Sequence, residues 1–172
     1  MISYSGYLTE QKLIEILKNF FTTLKPQFSF PKSRRRYDCF INLLGIPTLI
    51  EFDGAQHYID SDVIKADDEK DILAKQNNYK LIRIPYFIQL NHKTSHLYFS
   101  SLKIDSCYPN GFIDLKAKLP ASYCELGIKR FESEFKTYSE FLQEEIKLSL
   151  RKKLDILDKK YVIPSTLECL IK

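Results

Sequence analysis

The sequence predicts an α/β (α+β) protein in which a mixed central sheet is flanked by helices and followed by a helical C-terminal extension. Three observations predict it. An amphipathic segment opens the chain. Two strand-like segments follow, so close together that they must pair as a hairpin. A helical segment then separates the second of them from a later apolar strand, and such a crossover calls for a parallel pair.

The first helix is expected over Thr9 to Phe21, where Leu13, Ile16, Leu17, Phe20 and Phe21 recur at helical spacing. Thr9 suits its N-cap and Glu10 its first turn. Pro26 and Pro31 bracket a short loop or edge strand. Tyr37 to Leu44 and Thr48 to Asp53 alternate and are rich in strand formers, with Leu44 and Gly45 as a tight turn between them. A hairpin centred on that turn sets Asp38 opposite Glu51. Glu51 and Asp53, two residues apart, share a face of the sheet. A one-residue slip would undo the pairing. Asp60 to Asn77 reads as a helix with Ile64, Ile72 and Leu73 as its apolar residues, and Lys80 to Tyr86 as a largely buried strand. Residues 91–127 read as irregular. Phe131 to Leu157 reads as one long amphipathic helix. The expected division is a core over residues 1–90 and an extension over 91–172 that packs on the core or serves target recognition or dimer contacts.

A chain of 172 residues, 44% apolar, suits one compact domain that needs no disulfide or structural metal to be stable. Its four cysteines, Cys39, Cys107, Cys124 and Cys169, are far apart and contain no CxxC pair, which argues against a zinc ribbon. The N-terminal residues hold no apolar run of the signal-peptide kind, and no stretch nears a membrane span. The expectation is a cytoplasmic protein with free thiols and no membrane partner. The net charge of +4 is mild, but Lys32, Arg34, Arg35 and Arg36 fall immediately before the acidic residues. Cations that attract phosphate beside carboxylates that hold a metal suit an enzyme acting on a polyanion. A solvated loop is the plain alternative for the run.

Most neighbouring acids are surface or capping residues. Glu51, however, stands in the apolar run Leu49, Ile50, Phe52, where a carboxylate is costly unless it is paired, hydrogen-bonded or bound to metal. Asp38 beside it would raise a pKa by repulsion, and a divalent cation would relieve that. Oxygen ligands with open positions suit Mg²⁺ or Mn²⁺. Such a site supports hydrolysis of a phosphodiester by an activated water. Asp53, Gln56 or His57 are candidates for the base, His57 having the ordinary pKa nearest neutrality. His92 and His96 have the spacing of helical zinc ligands, but they lack a third ligand and are expected on an exposed loop.

Arg36-Tyr37-Asp38, Ile50-Glu51-Phe52-Asp53-Gly54-Ala55-Gln56-His57-Tyr58, Asp67-x-x-Lys70 and Leu81-Ile82-Arg83-Ile84-Pro85-Tyr86 together resemble the PD-(D/E)XK nuclease superfamily. The similar branch holds the very-short-patch-repair endonucleases and the phage and viral homing-type endonucleases. The resemblance spans about residues 5–87 and implies a restriction-endonuclease-like core. It implies Asp38 and Glu51 as metal ligands, the Phe52 carbonyl completing the inner shell, and Glu10 acting through a water. Asp53 stands where the motif lysine belongs, which leaves the base open among Gln56, His57 and Lys70. For Lys70 the plain alternative is a solvated helix lysine. Arg83, inside an apolar strand, is expected to pair with an acid.

The function expected is a Mg²⁺-dependent endonuclease acting on DNA, duplex DNA foremost. A non-cleaving nucleic-acid-binding module with the same fold and a ribonuclease using the same site are the rival readings. The apolar stripe expected on the long helix serves either a homodimer or the cover of the sheet.

Overall fold

The structure, a computed structural model, describes residues 2–3, 6–99, 106–108, 112 and 117–171. It is α+β, with a four-stranded mixed sheet flanked by helices. The chain divides into two compact units, one of residues 1–53 and 66–109, the other of 54–65 and 110–172. The sequence-based boundary at residue 90 falls inside the first unit. Among the described residues no helix is long and apolar enough to cross a membrane.

The first unit begins with a two-residue strand, β1 (Ile2–Ser3), and a helix, α1 (Glu10–Lys18). The Thr9 side chain accepts the Lys12 N–H and caps α1, whose Leu13, Ile16 and Leu17 are buried. The helix stops three residues short of the expected end: Asn19 is its C-cap, and the Asn19 side chain donates to the Glu15 carbonyl. Next come β2 (Lys25–Phe28), β3 (Tyr37–Leu43) and β4 (Ile46–Asp53). The β3–β4 hairpin is antiparallel with Cys39 opposite Ile50 and Phe40 opposite Leu49, the register that sets Asp38 across from Glu51. Leu44 (φ 55°) and Gly45 (φ 84°) form its two-residue turn. Positive φ at both positions matches the strand twist, and it is strained at a leucine.

After β4 the chain forms α2 (Gln56–Ile59), then α3 (Ser61–Gln76), then β5 (Lys80–Pro85). The crossover returns β5 parallel to β4, with Glu51 level with Arg83. The sheet order is β2-β3-β4-β5. On one face α1 packs through Leu13, Ile16 and Leu17 against Cys39, Ile41, Ile50, Ile82 and Ile84. On the other, Leu73 and Ala74 of α3 meet Leu49, Phe40, Leu81 and Tyr79. Ile72, one of the apolar residues expected of this helix, is 57% exposed; the side toward the sheet carries Asp67, Lys70 and Ala74, with Leu73 at its border and the half-exposed Asp71 reaching Arg83.

The His92/His96 segment is helical, not a loop: α4 runs His92–Phe99. Asn91 Oδ1 accepts the N–H groups of Lys93 and Thr94 and satisfies its start. Both histidines are exposed. A short strand, β6 (Ser106–Cys107), pairs parallel with β1. Of the stretch 91–127 expected to be irregular, residues 100–105, 109–111 and 113–116 lie outside the described residues.

Among the described residues the second unit holds α2, the first turn of α3, and three further α-helices, α5 (Glu125–Thr137), α6 (Glu140–Leu154) and α7 (Lys159–Val162), with short 3-10 turns at Pro120–Ser122 and Ser165–Ile171. The single long helix expected over Phe131 to Leu157 is thus two. Tyr138 is extended (ψ 150°), and Ser139 caps α6 by accepting the Leu142 N–H. The apolar stripe survives the break, with Phe131, Phe135, Leu142, Ile146 and Leu150 all buried. Gly127 lets α5 press on α2: a Cβ there would lie 1.7 Å from the Tyr58 carbonyl oxygen. Cys39, Cys124 and Cys169 carry free thiols.

Candidate active site

The face of the sheet covered by α3 carries its acids at one end. Asp38 is the second residue of β3, and Glu51 and Asp53 lie in the last three residues of β4, on the same side as Leu49. This end lies at the carboxyl ends of the parallel strands β4 and β5, where open sheets commonly place ligands. The Phe52 N–H donates to Asp38 Oδ2 at 2.6 Å, which fixes one carboxylate oxygen across the hairpin. Glu51 is 2% exposed, and Lys70 Nζ donates to its Oε1 at 2.7 Å. Lys70 reaches this carboxylate from α3. Tyr37 holds the helix there as well, its hydroxyl donating to the Lys70 carbonyl at 2.8 Å.

The acids are poorly compensated. Burial raises the Asp38 carboxyl to about 6, the Phe52 N–H opposes this, and Glu10 adds to it. Burial and then the Asp38 charge raise Glu51 to about 7, against the pull of Lys70. Burial and the Asp38, Glu51 and Glu10 charges push the adjacent Cys39 thiol up to about 12. Buried carboxyl groups shifted in this way cluster at functional sites.

Asp53 is fully buried, and its Oδ1 accepts from Arg83 Nη1 at 2.7 Å. The same guanidinium meets Asp71 at 2.8 Å and Asp67 at 3.4 Å. Burial works against the Arg83 charge, but the three carboxylates outweigh it and hold the group above its ordinary pKa. Arg83 therefore has the acidic partners the apolar strand called for. Asp67 and Asp71, four residues apart in an acidic run, were the readable sign of one helical face turned to a cation.

Glu10 opens α1 and accepts from Gln27 Nε2 at 3.1 Å. Gln27 was not anticipated. The pairs Pro26–Cys39 and Phe28–Tyr37 bracket it opposite Asp38, and it has a left-handed φ of 51° inside a strand. Nothing in the residue type announces that conformation.

Arg35 of the basic run is tied to Glu69 of α3, Nε to Oε2 at 3.0 Å. Lys32, Arg34 and Arg36 are exposed, with no ion pair to them among the described residues. Gln56 and His57 lie on α2 and belong to the second unit, where the His57 N–H donates to the Gly54 carbonyl. The structure thus gathers Asp38, Glu51 and Lys70 at one place, with Glu10 close enough to act on Asp38 and Asp53 turned to Arg83.

For a divalent cation, Asp38 and Glu51 supply two hard oxygen donors whose charges repel in its absence. No third carboxylate, imidazole or thiolate joins both within 4.8 Å among the described residues. Two carboxylates with the remaining positions left to water fit Mg²⁺, which dehydrates reluctantly, better than zinc.

No family model matches this chain, and no curated protein or solved structure matches it.

Proposed function

We propose that the protein is a Mg²⁺-dependent endonuclease of the PD-(D/E)XK type, with a restriction-endonuclease-like core, that hydrolyses phosphodiester bonds of duplex DNA. The observation that carries this reading is the buried Glu51, set opposite Asp38 and held by Lys70 at 2.7 Å. Lys70 fills the gap left by Asp53 at the motif lysine position. Its ammonium stands beside the carboxylate from a helix instead of from the strand itself.

Asp38 and Glu51 would hold the cation, with the Phe52 carbonyl as a third donor and Glu10 acting through water. When bound, Mg²⁺ would lower the pKa of a water and offset charge on the phosphate. Asp38 stays aimed because one of its oxygens is fixed by the Phe52 N–H. Glu51 is oriented by Lys70, which keeps two further N–H donors for a phosphate oxygen. A fixed cation near the developing charge stabilises the transition state without reorganisation. Asp53 anchors Arg83 in this reading, and the base is left among the water's other contacts, Lys70 included. Lys32, Arg34 and Arg36, exposed just ahead of β3, supply sequence-independent attraction for the DNA backbone. The cytoplasm is the compartment that suits this chemistry and the free thiols.

The test is cleavage of supercoiled plasmid, linear duplex, single-stranded DNA and RNA, with Mg²⁺, Mn²⁺ or EDTA, beside Asp38→Ala and Glu51→Ala. Metal-dependent cutting of DNA by the wild type, absent in both variants, supports the reading. Cutting of RNA alone assigns a ribonuclease. DNA binding without cutting in any metal assigns the binding module instead.

A further inference from the structure

Arg83 occupies a position that the proposed chemistry does not use directly. It is 14% exposed and lies level with Glu51 on the neighbouring strand. Its Nη1 holds Asp53 of β4, at 2.7 Å. Its Nε and Nη2 hold Asp71 Oδ1 at 3.0 and 2.8 Å, and Nη2 also donates to the Asp67 carbonyl at 3.3 Å. One guanidinium therefore ties β5 to β4 and to two successive turns of α3. Lys70, the residue beside Asp71, lies between those two turns.

We infer that Arg83 is a positioning residue: its bridge from Asp53 to Asp67 and Asp71 sets the height and rotation of α3 that bring Lys70 Nζ onto Glu51. This inference rests on the nuclease reading for its catalytic meaning, though the clamp itself is a statement about geometry. Apolar packing fixes the far part of α3 through Leu73 and Ala74. Between Asp67 and Asp71 the inner stripe has no apolar residue, so its seating depends on polar ties: the guanidinium, the Tyr37 hydroxyl and, on the exposed side, the Arg35–Glu69 pair. The planar fork with its five donors suits three acceptors on two elements. A lysine carries the same charge but cannot span them. Displacements of about 1 Å at a positioned catalytic group lower rates by about 100-fold.

The experiment follows the Lys70 ammonium directly by ¹H–¹⁵N correlation at low temperature, with Lys70→Arg to assign the signal. The full chain is compared with Arg83→Lys and with the milder Asp71→Asn, whose acid is 53% exposed and whose loss the fold should survive. Wild type should show a slowly exchanging ammonium held by Glu51. That signal should be lost in Arg83→Lys and weakened in Asp71→Asn while the backbone spectrum stays dispersed. In cleavage assays kcat should fall about 100-fold in Arg83→Lys and several-fold in Asp71→Asn. The affinity for uncut duplex in EDTA should stay within about twofold. An unchanged Lys70 signal and unchanged kcat in Arg83→Lys would overturn the inference. If Arg83→Lys does not fold, Asp71→Asn alone decides in the same two readouts. A wild type that cuts nothing refutes the nuclease reading, while the ammonium signal still decides the clamp.

Discussion

Helix α3 crosses two ends of one sheet face, and the two differ in chemistry. At one end Phe40, Leu49, Leu81 and Tyr79 meet Leu73 and Ala74 of the helix, with Phe28 and Phe30 packed edge to face at 5.3 Å beside them. At the other, the same strands present Asp38, Glu51, Asp53 and Arg83 to Asp67, Lys70 and Asp71. The first end stabilises the fold by burial alone. The second buries charge, holds two carboxylates above their ordinary range, and is kept in place by ion pairs whose net worth to stability is small. Where a fold keeps poorly compensated acids in an otherwise well-packed sheet, function is the better explanation than stability.

The comparison can be broken by exchanging the roles of the two ends. Asp38→Asn keeps an oxygen to accept the Phe52 N–H and removes the charge. Cleavage should fall by about 1,000-fold or more, while stability at pH 8 rises by about 1–2 kcal/mol, a fraction of the ~3 kcal/mol that a carboxyl raised from 3.8 to about 6 implies. A loss of both would place Asp38 with the structural residues. Leu49→Ala, at the apolar end, should do the converse. It should cost about 2–5 kcal/mol in urea unfolding and leave kcat of the folded fraction close to wild type.

The acidic end also gives stability a pH dependence of unusual sign. Asp38, raised from 3.8 to about 6, and Glu51, raised from 4.5 to about 7, both bind protons more tightly folded than unfolded. Their contribution is therefore greatest at low pH and is lost as pH rises from about 4 to about 7. Urea midpoints across that window should decline with pH in EDTA, and millimolar Mg²⁺ should restore stability above pH 7 by binding the folded state alone. A flat profile with and without Mg²⁺ would show that the acids are already compensated.

Much of the apolar end was legible in the sequence, because alternation and helical period report burial. The hairpin register was legible too: Leu44-Gly45 left one economical turn, and with it came the Asp38–Glu51 pairing. The polar end was harder. The sheet-facing stripe of α3, from Asp67 to Ala74, is charged for most of its length, so an apolar residue such as the exposed Ile72 does not mark it. Periodicity searches look for apolar stripes and pass over a helix that covers a site. Gln27 was hidden for another reason, since its backbone conformation is imposed by the edge strand and leaves no mark on the side chain. The break at Ser139 was missed because the apolar stripe runs on through it.

Two smaller effects sharpen the account. Replacing Lys32, Arg34 and Arg36 together by alanine should weaken DNA binding evenly across sequences and reduce the salt slope by up to about 3, with kcat little changed. Leu44→Asn, with its left-handed φ of 55°, should stabilise the hairpin by about 1 kcal/mol in urea unfolding.

The central claim is that Asp38 and Glu51 form an electrostatically incomplete pair that a divalent cation completes. Calorimetric titration of Mn²⁺ into the metal-free protein at pH 7.5 tests it most directly, beside Asp38→Asn and Glu51→Gln. One site per chain in the wild type, lost in both variants, is the predicted result. Undiminished Mn²⁺ binding in both variants, or none in the wild type with or without bound DNA, would contradict it.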